Sequence, residues 1–366
     1  MASLIVIAPV KGPEERVRIK KLIDVLRSAD HEIEFWGWER GIEKTPPDPD
    51  LSIRTLHRGG GYGGKKMLLH YPIWMLKVWW AVLTRSKGKP LYCLSFDTAF
   101  PAAMAGAKRF LFDDADNFSK ISNWPGLLRR LIERGERFAA RRAKVHLLPS
   151  KARTVSIQPN DRFLPNMPTR DAVDKARQIA TERRYEPGDG LTVLVTGRMV
   201  GDRGVGQILG ALRLVSPGGP SGIRLLVAGR TFSPEAEELI KEPGVEYVGT
   251  VPNEEALALN YRASVVLTYY NPDIEINRVA EPNKWGDCIV TNTPFIVNSE
   301  VTTAKEFVDA GACFSVPYQD VQGLANLLLN LAENPGELNE VKSRLATFAA
   351  PAWDDGMNKI VEEWLA

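Results

Sequence analysis

Short apolar runs alternate along the chain with stretches in which apolar residues recur every three or four positions, a pattern that predicts an α/β protein. SLIVIAPV reads as a strand, RVRIKKLIDVLRSA as an amphipathic helix and HEIEFWGWE as a second strand. The chain therefore opens βαβ, the start of a Rossmann-like domain. TPPDPD is a turn cluster, LSIRTL a third strand, PLYCLSFD a buried strand ending in Asp97, and RFLFDDADN another with an acidic end. VHLLPS is a strand, and RFLPNMP closes a first domain over residues 1–168. A polar helix at 170–184 and the EPGDG turn lead into a second Rossmann-like domain, 169–351, with strands LTVLVTGR, IRLLVAGR, VEYVG, VVLTYY, PFIV and CFSVPY. Two final helices are predicted, DVQGLANLLLNLAEN and the stretch ending in MNKIVEEWLA.

The most informative unit is Val265 to Val297. After VVLTYY comes a polar loop, Asn271 to Glu281, then Pro282, whose fixed φ suits the start of a helix. Asn283, Lys284 and Asp287 fall in the first turn and a half, and PFIV follows as the next strand. A helix start exposes unpaired N–H groups and partial positive charge, so this loop suits a phosphate or carboxylate. Asn277 and Glu281 stand close by in the sequence.

Length and charge narrow the picture. At 366 residues the chain is comfortable for two α/β domains, and 44% hydrophobic with 25% charged residues is ordinary for a globular protein. Cys93, Cys288 and Cys313 are far apart beside apolar runs and read as buried thiols of a reducing compartment. The first residues form a strand and lack the marks of a signal peptide, and no run is long enough to cross a bilayer. The expected location is cytoplasmic, with peripheral attachment to the inner face of the plasma membrane as an extension of that reading. The net charge of +2 hides an asymmetry. Residues 1–168 hold 29 Lys and Arg against 17 Asp and Glu, a net +12, and the remainder is at −10. The first half is therefore directed at an anionic partner.

Two segments of that half invite a functional reading. Gly59 to Lys66 has the outline G-x-x-x-x-G-K-K, but Lys66 fills the place where a phosphate-binding P-loop needs Ser or Thr for Mg²⁺, so a mobile loop open to a ligand role is the better reading. MLLHYPIWMLKVWWAVLTRSKGK carries Trp74, Trp79 and Trp80 among Lys65, Lys66, Lys77, Arg85, Lys87 and Lys89. Such a helix lies in a membrane interface or forms a core helix with a basic rim, and the sequence leaves both open. Nucleic acid is not expected, because no recognition module is present. Asp97, Asp113, Asp114 and Asp116 sit at strand ends, where ligands of open α/β sheets bind.

In the second domain, Arg198 and Arg203 share the strand-to-helix loop GRMVGDRG and can clamp a diphosphate without a metal. INRVAEPNKWGD resembles the donor-binding segment of family 4 glycosyltransferases in its Pro-Asn-Lys variant, and GRMVGDRG resembles that family's phosphate-gripping loop. RVRIKKLIDVL, FDDADN, VHLLPS, FLPN and YVGTVPNEEALALNYRASVVLTYY follow the family in the same order. Asp287 stands where Glu is usual, Val279 at an earlier Glu position, Arg203 in place of Lys and Ala115 in place of His.

The resemblance implies the GT-B architecture: two facing Rossmann-like domains with parallel sheets, acceptor on the first and donor on the second. It also implies that the C-terminal helix, about 352–366, crosses back to the first domain. The implied reaction is retaining sugar transfer from a nucleotide-sugar to a glycan or polyprenyl-diphosphate-linked acceptor, in bacterial-type surface polysaccharide synthesis. The donor-binding residues would be Gly12, Arg198, Arg203, Asn277, Glu281, Asn283, Lys284 and Asp287. Arg198 and Lys284 would act on the leaving phosphate, with Asp97 and Asp116 lining the acceptor side and not acting as covalent nucleophiles. Neither a cofactor nor a metal is expected, since no paired D-x-D carboxylates occur in the donor domain. Two alternatives remain: a nucleotide-sugar 2-epimerase of the same shape, and a degenerate glycosyltransferase-like partner subunit.

Overall fold

The computed structural model describes residues 2–41, 48–61, 64–121, 124–154, 156–186, 188–216, 218–219 and 222–366, with backbone alone for residues 64–66. Residues 45–47 of the TPPDPD cluster lie outside that set, as do Tyr62, Gly63 and the side chains of Lys65 and Lys66 in the glycine loop. The chain divides into two units, Met1–Pro165 with Asp354–Ala366, and Asn166–Trp353.

The first unit is built on seven parallel strands: β1 (Ser3–Ala8), β2 (Glu32–Glu39), β3 (Ser52–Arg58), β4 (Leu91–Leu94), β5 (Phe110–Asp113), β6 (Val145–Leu148) and β7 (Asp161–Phe163). Their order is β3-β2-β1-β4-β5-β6-β7. The order reverses between β1 and β4, and the crevice at the carboxyl ends of those two strands is where such a sheet binds ligands. The central strands β1, β4, β5 and β6 are buried on both faces because helices cover a parallel sheet, while the edge strand β3 is largely polar and exposed. The helices are α1 (Val17–Ser28), α2 (Gly64–Arg85), α3 (Phe96–Met104) and α4 (Gly126–Arg142). Helix α3 packs between α2 and α4, and all three bury side chains in one core with Ile5, Trp36, Trp38, Cys93 and Phe112. The helix Trp353–Leu365 joins this unit over most of its length. Trp364 packs on Tyr92, Arg162 Nε donates to Glu363 at 2.7 Å, and Gly356 leaves room for Leu164, whose Cδ1 would lie 2.4 Å from any added Cβ.

The second unit holds six parallel strands, β8 (Leu191–Thr196), β9 (Ile223–Ala228), β10 (Val245–Gly249), β11 (Val265–Thr268), β12 (Phe295–Asn298) and β13 (Phe314–Val316). Their order, β10-β9-β8-β11-β12-β13, reverses between β8 and β11. Two Rossmann-like parallel-sheet units with the terminal helix returned to the first constitute the GT-B fold.

Several elements differ from the sequence reading. Asp97 does not end a strand: β4 stops at Leu94 and Ser95 turns sharply (φ 73°, ψ 162°), so Asp97 lies in the first turn of α3. The polar loop 271–281 contains one helical turn, Glu275–Arg278. A further helix, Pro335–Leu345, lies between the two expected at the C-terminus, started by Pro335 in the first turn. Helix α2 has two apolar stripes: Trp74 and Val78 are core, while Leu69, Ile73, Leu76, Trp80 and Leu83 form a second, exposed stripe. Among the described residues no helix is long and apolar enough to cross a membrane.

Candidate functional site

The reversal point of the second sheet gathers cationic side chains from separate loops. Arg198 and Arg203 come from the loop after β8, Arg203 closing the 3₁₀ turn Gly201–Arg203. Gly204 must be glycine there: its φ is +70°, and a Cβ would stand 2.6 Å from Tyr269 Cβ. Lys284 comes from the helix Asn283–Thr291 that follows β11. Its N-cap residue, Pro282, supplies no side-chain cap, and the first-turn amides of such a helix start suit an anion. Lys284 lies over Gly197, with Nζ 3.8 Å from the place of a Cβ on that residue.

Each cation is seated on an aromatic ring or against a neighbour. Arg203 lies 4.7 Å from the Tyr270 ring centroid and Arg198 4.9 Å from that of Phe232. Burial, and then the charge of Arg203, push the Lys284 ammonium down to about 8. Burial raises the Tyr270 phenol to about 12, so it stays neutral beside Arg203. Arg230, 5.2 Å from the same Phe232 ring centroid, belongs to the same cluster. Sequence reasoning missed it, although LLVAGR repeats the strand-Gly-Arg pattern of LVTGR.

The remaining donor candidates divide into exposed and engaged groups. Asn283 is exposed at the first helical position and Asp287 is half-buried one turn on. Asn277 is buried, and its Nδ2 donates to the Asn271 carbonyl at 3.0 Å, holding the loop. The Glu281 carbonyl accepts from Asn166 Nδ2 at 2.6 Å, and Gly286 lets the helix approach the Asn166 backbone, whose oxygen would be 2.4 Å from an added Cβ. Asn166 thus clasps both ends of the Pro-Asn-Lys segment. Gly12 belongs to the first unit, in the loop after β1; its φ of −159° is open to any residue, and an added Cβ would only touch Ile53 at 3.8 Å.

In the first unit, Asp97 is fully buried. One carboxylate oxygen accepts from Trp74 Nε1 at 2.8 Å, and Oδ1 has no hydrogen-bond partner among the described residues. Burial raises its pKa against the opposing pull of Arg40. Arg40 is itself buried, 4.2 Å over Trp38 and 5.4 Å from the Tyr71 centroid, with Nε unpartnered among the described residues. A carboxylate and a guanidinium, each with an unused atom and framed by indole and phenol rings, suit a hydroxylated ligand. Asp116 is exposed and paired with Arg16 at 3.2 Å. Asp113 serves structure: Arg18 grips it with Nε at 2.6 Å and Nη2 at 2.9 Å, and Tyr92 donates to it. Among the described residues no three His, Cys, Asp or Glu side chains are grouped to hold a metal ion.

By sequence, the chain matches no family model and no curated protein. By structure it is similar along its whole length to sucrose-phosphate synthase from Thermosynechococcus elongatus, with 15% identity, a TM-score of 0.70 and 99% of that chain covered. Anabaena HepE in complex with UDP and glucose gives 14% and 0.67, covering all of this chain and 99% of that one. The S. aureus MnaA–UDP structure gives 12% and 0.66, covering all of this chain and 97% of that one. These likenesses establish the shared fold.

Proposed function

We propose that the protein is a metal-independent, retaining glycosyltransferase of the family 4 type, taking its sugar from a nucleoside-diphosphate donor bound by the second unit. The observation that carries this reading is the placement of Arg198 and Arg203 on the loop after β8 and of Lys284, which packs over Gly197 and feels the charge of Arg203, on the helix start after β11, the two strands between which the sheet reverses. Fixed cations and backbone amides supply the stabilisation that a departing diphosphate requires. In the reaction, the anomeric carbon–oxygen bond to the diphosphate breaks. The acceptor oxygen bonds to that carbon on the same face, and its proton passes to the leaving phosphate oxygen. The solved structures similar to this chain include ones holding UDP, so UDP-sugars are the first donors to examine.

The acceptor belongs with the first unit, where Asp97, Arg40 and their aromatic frame offer hydroxyl recognition and Asp116 stands at the same strand ends. A glycan or polyprenyl-diphosphate-linked glycan fits this chemistry, as in surface polysaccharide synthesis. The exposed stripe of α2 and the +12 charge of residues 1–168 fit peripheral attachment to an anionic membrane on the cytoplasmic side. The test is release of nucleotide from a panel of UDP- and GDP-sugars in excess chelator. Slow donor hydrolysis that accelerates with acceptor supports the proposal. A strict need for Mg²⁺ or Mn²⁺ contradicts the metal-free clamp, and nucleotide binding without turnover of any donor indicates a partner subunit.

A further inference from the structure

The first unit contains a cavity of about 440 Å³ beneath α4, bounded by the turn after β5, strands β6 and β7, and the segment between them. That volume lies in the range of about 300–1,000 Å³ usual for small-molecule sites. None of the residues assigned above to donor or acceptor lines it.

Its floor has buried polar groups with unused valence. His146 and Asp161 are register partners on β6 and β7, and His146 Nδ1 meets Asp161 Oδ1 at 2.7 Å. That contact leaves Nε2 without a hydrogen-bond partner among the described residues, with Asp114 Oδ2 facing it at 3.6 Å as a longer ionic contact. Asn117 Oδ1 is a second such atom on the same cavity, and both residues are more than nine-tenths buried. Buried polar atoms normally find partners, and two left over in one cavity mark a place for ligand hydroxyls. Burial, followed by the charge of Asp114, raises Glu136 to about 7, which eases repulsion among the floor carboxylates.

The rim is cationic. Arg137 and Arg141 stand one turn apart on α4, and Lys120 rises from the turn after Asn117. The side chains of these three make no hydrogen bond or ion pair among the described residues. Arg129 and Arg153 on the same wall are already engaged, with Glu133 at 3.0 Å and the Ala115 carbonyl at 3.1 Å. Two guanidiniums at one-turn spacing suit a phosphate.

We infer that this cavity binds a phosphorylated polyol, its hydroxyls on His146 and Asn117 and its phosphate on Arg137, Arg141 and Lys120. A free sugar phosphate and a phosphoinositide headgroup share that chemistry, and separate titrations distinguish them. Glucose 6-phosphate, glucose, inorganic phosphate, and phosphatidylcholine vesicles containing phosphatidylinositol 4-phosphate are each titrated into the full chain by calorimetry. The expected result is binding of glucose 6-phosphate at least about tenfold tighter than glucose or phosphate alone, or binding of the vesicles, which assigns the headgroup as the source. In either case the R137Q/R141Q variant loses at least about tenfold in affinity with an unchanged urea midpoint, because both side chains are exposed. Undiminished binding by that variant overturns the inference. So does phosphate binding as tightly as glucose 6-phosphate, or silence from both glucose 6-phosphate and the vesicles. UDP titrated into the same variant tests the nucleotide reading separately.

Discussion

Lys284 packs over Gly197: a Cβ on Gly197 would stand 3.6 Å from Lys284 Cε. One residue ends the strand-to-loop turn after β8 and the other opens the helix after β11, so the pair closes the reversal point of the second sheet. Gly197 has φ +99°, a conformation that L side chains rarely adopt. Gly197→Ala therefore strains the backbone directly beneath the ammonium. Thermal unfolding should register a loss of about 1–3 kcal/mol, with weaker stabilisation by UDP. A melting point equal to that of the native protein, with and without UDP, argues against this packing.

The proton on Lys284 gives a pH signature. Its ammonium titrates at about 8, against an ordinary 10.5, so it is charged below about 8 and neutral above. A diphosphate favours the charged form, and UDP affinity should fall as pH rises through that value, with proton uptake on binding above it. Lys284→Arg should flatten the profile, since guanidinium does not titrate there. The sign for stability is opposite. Between about 8 and 10.5 the unfolded chain holds the proton that the folded chain has lost, so this group makes folding more favourable as pH rises across that window. Affinity that is level from about pH 7 to 9.5 in the native protein removes Lys284 from the phosphate site.

Two neighbouring aspartates should behave differently. Asp113 is fully buried in the fork of Arg18, and Asp113→Ala leaves that guanidinium without its partner; urea unfolding should show a loss of about 3–5 kcal/mol. Asp116→Ala removes an exposed pair with Arg16 and should cost no more than about 1 kcal/mol, with its main effect on acceptor use. Equal losses in the two variants would mean that Asp113 carries no structural role beyond its neighbour's.

Exposed apolar residues on α2 recur at 69, 73, 76, 80 and 83, one face of a helix, with Lys77 and Arg85 beside them. Leu69 is 73% exposed, Leu76 62% and Trp80 58%. Basic residues near an anionic leaflet contribute about 1 kcal/mol each, and the indole adds an interfacial anchor. Flotation with phosphatidylglycerol vesicles should exceed that with phosphatidylcholine, weaken in high salt and drop in the L76A/W80A variant. Equal flotation with both vesicles, or with neither, rejects membrane attachment through this face.

The strand-and-helix alternation was legible because a parallel sheet demands apolar runs and its crossover helices a period near 3.6; VVLTYY, PNKWGD and PFIV became β11, helix and β12 almost residue for residue. Side-chain partners were not legible. Nothing in FDDADN separates Asp113, held by Arg18 from a distant helix, from exposed Asp116, and nothing in EINR shows that Asn277 braces its own loop. Asp97 was placed one turn wrong because Ser95 adopts a backbone conformation that no serine advertises. Arg230 escaped notice because its strand carried no family motif, and only the fold brings the distant Arg198 onto the Phe232 ring that Arg230 also meets.

The cationic reversal point of the second unit is tested most directly by calorimetric titration of UDP into the native protein and into the R198A, R203A and K284A variants. Each substitution removes a charge-assisted contact worth about 1.5–3 kcal/mol, so affinity should fall roughly tenfold to a hundredfold in each. Native affinity for UDP in all three variants would contradict the assignment.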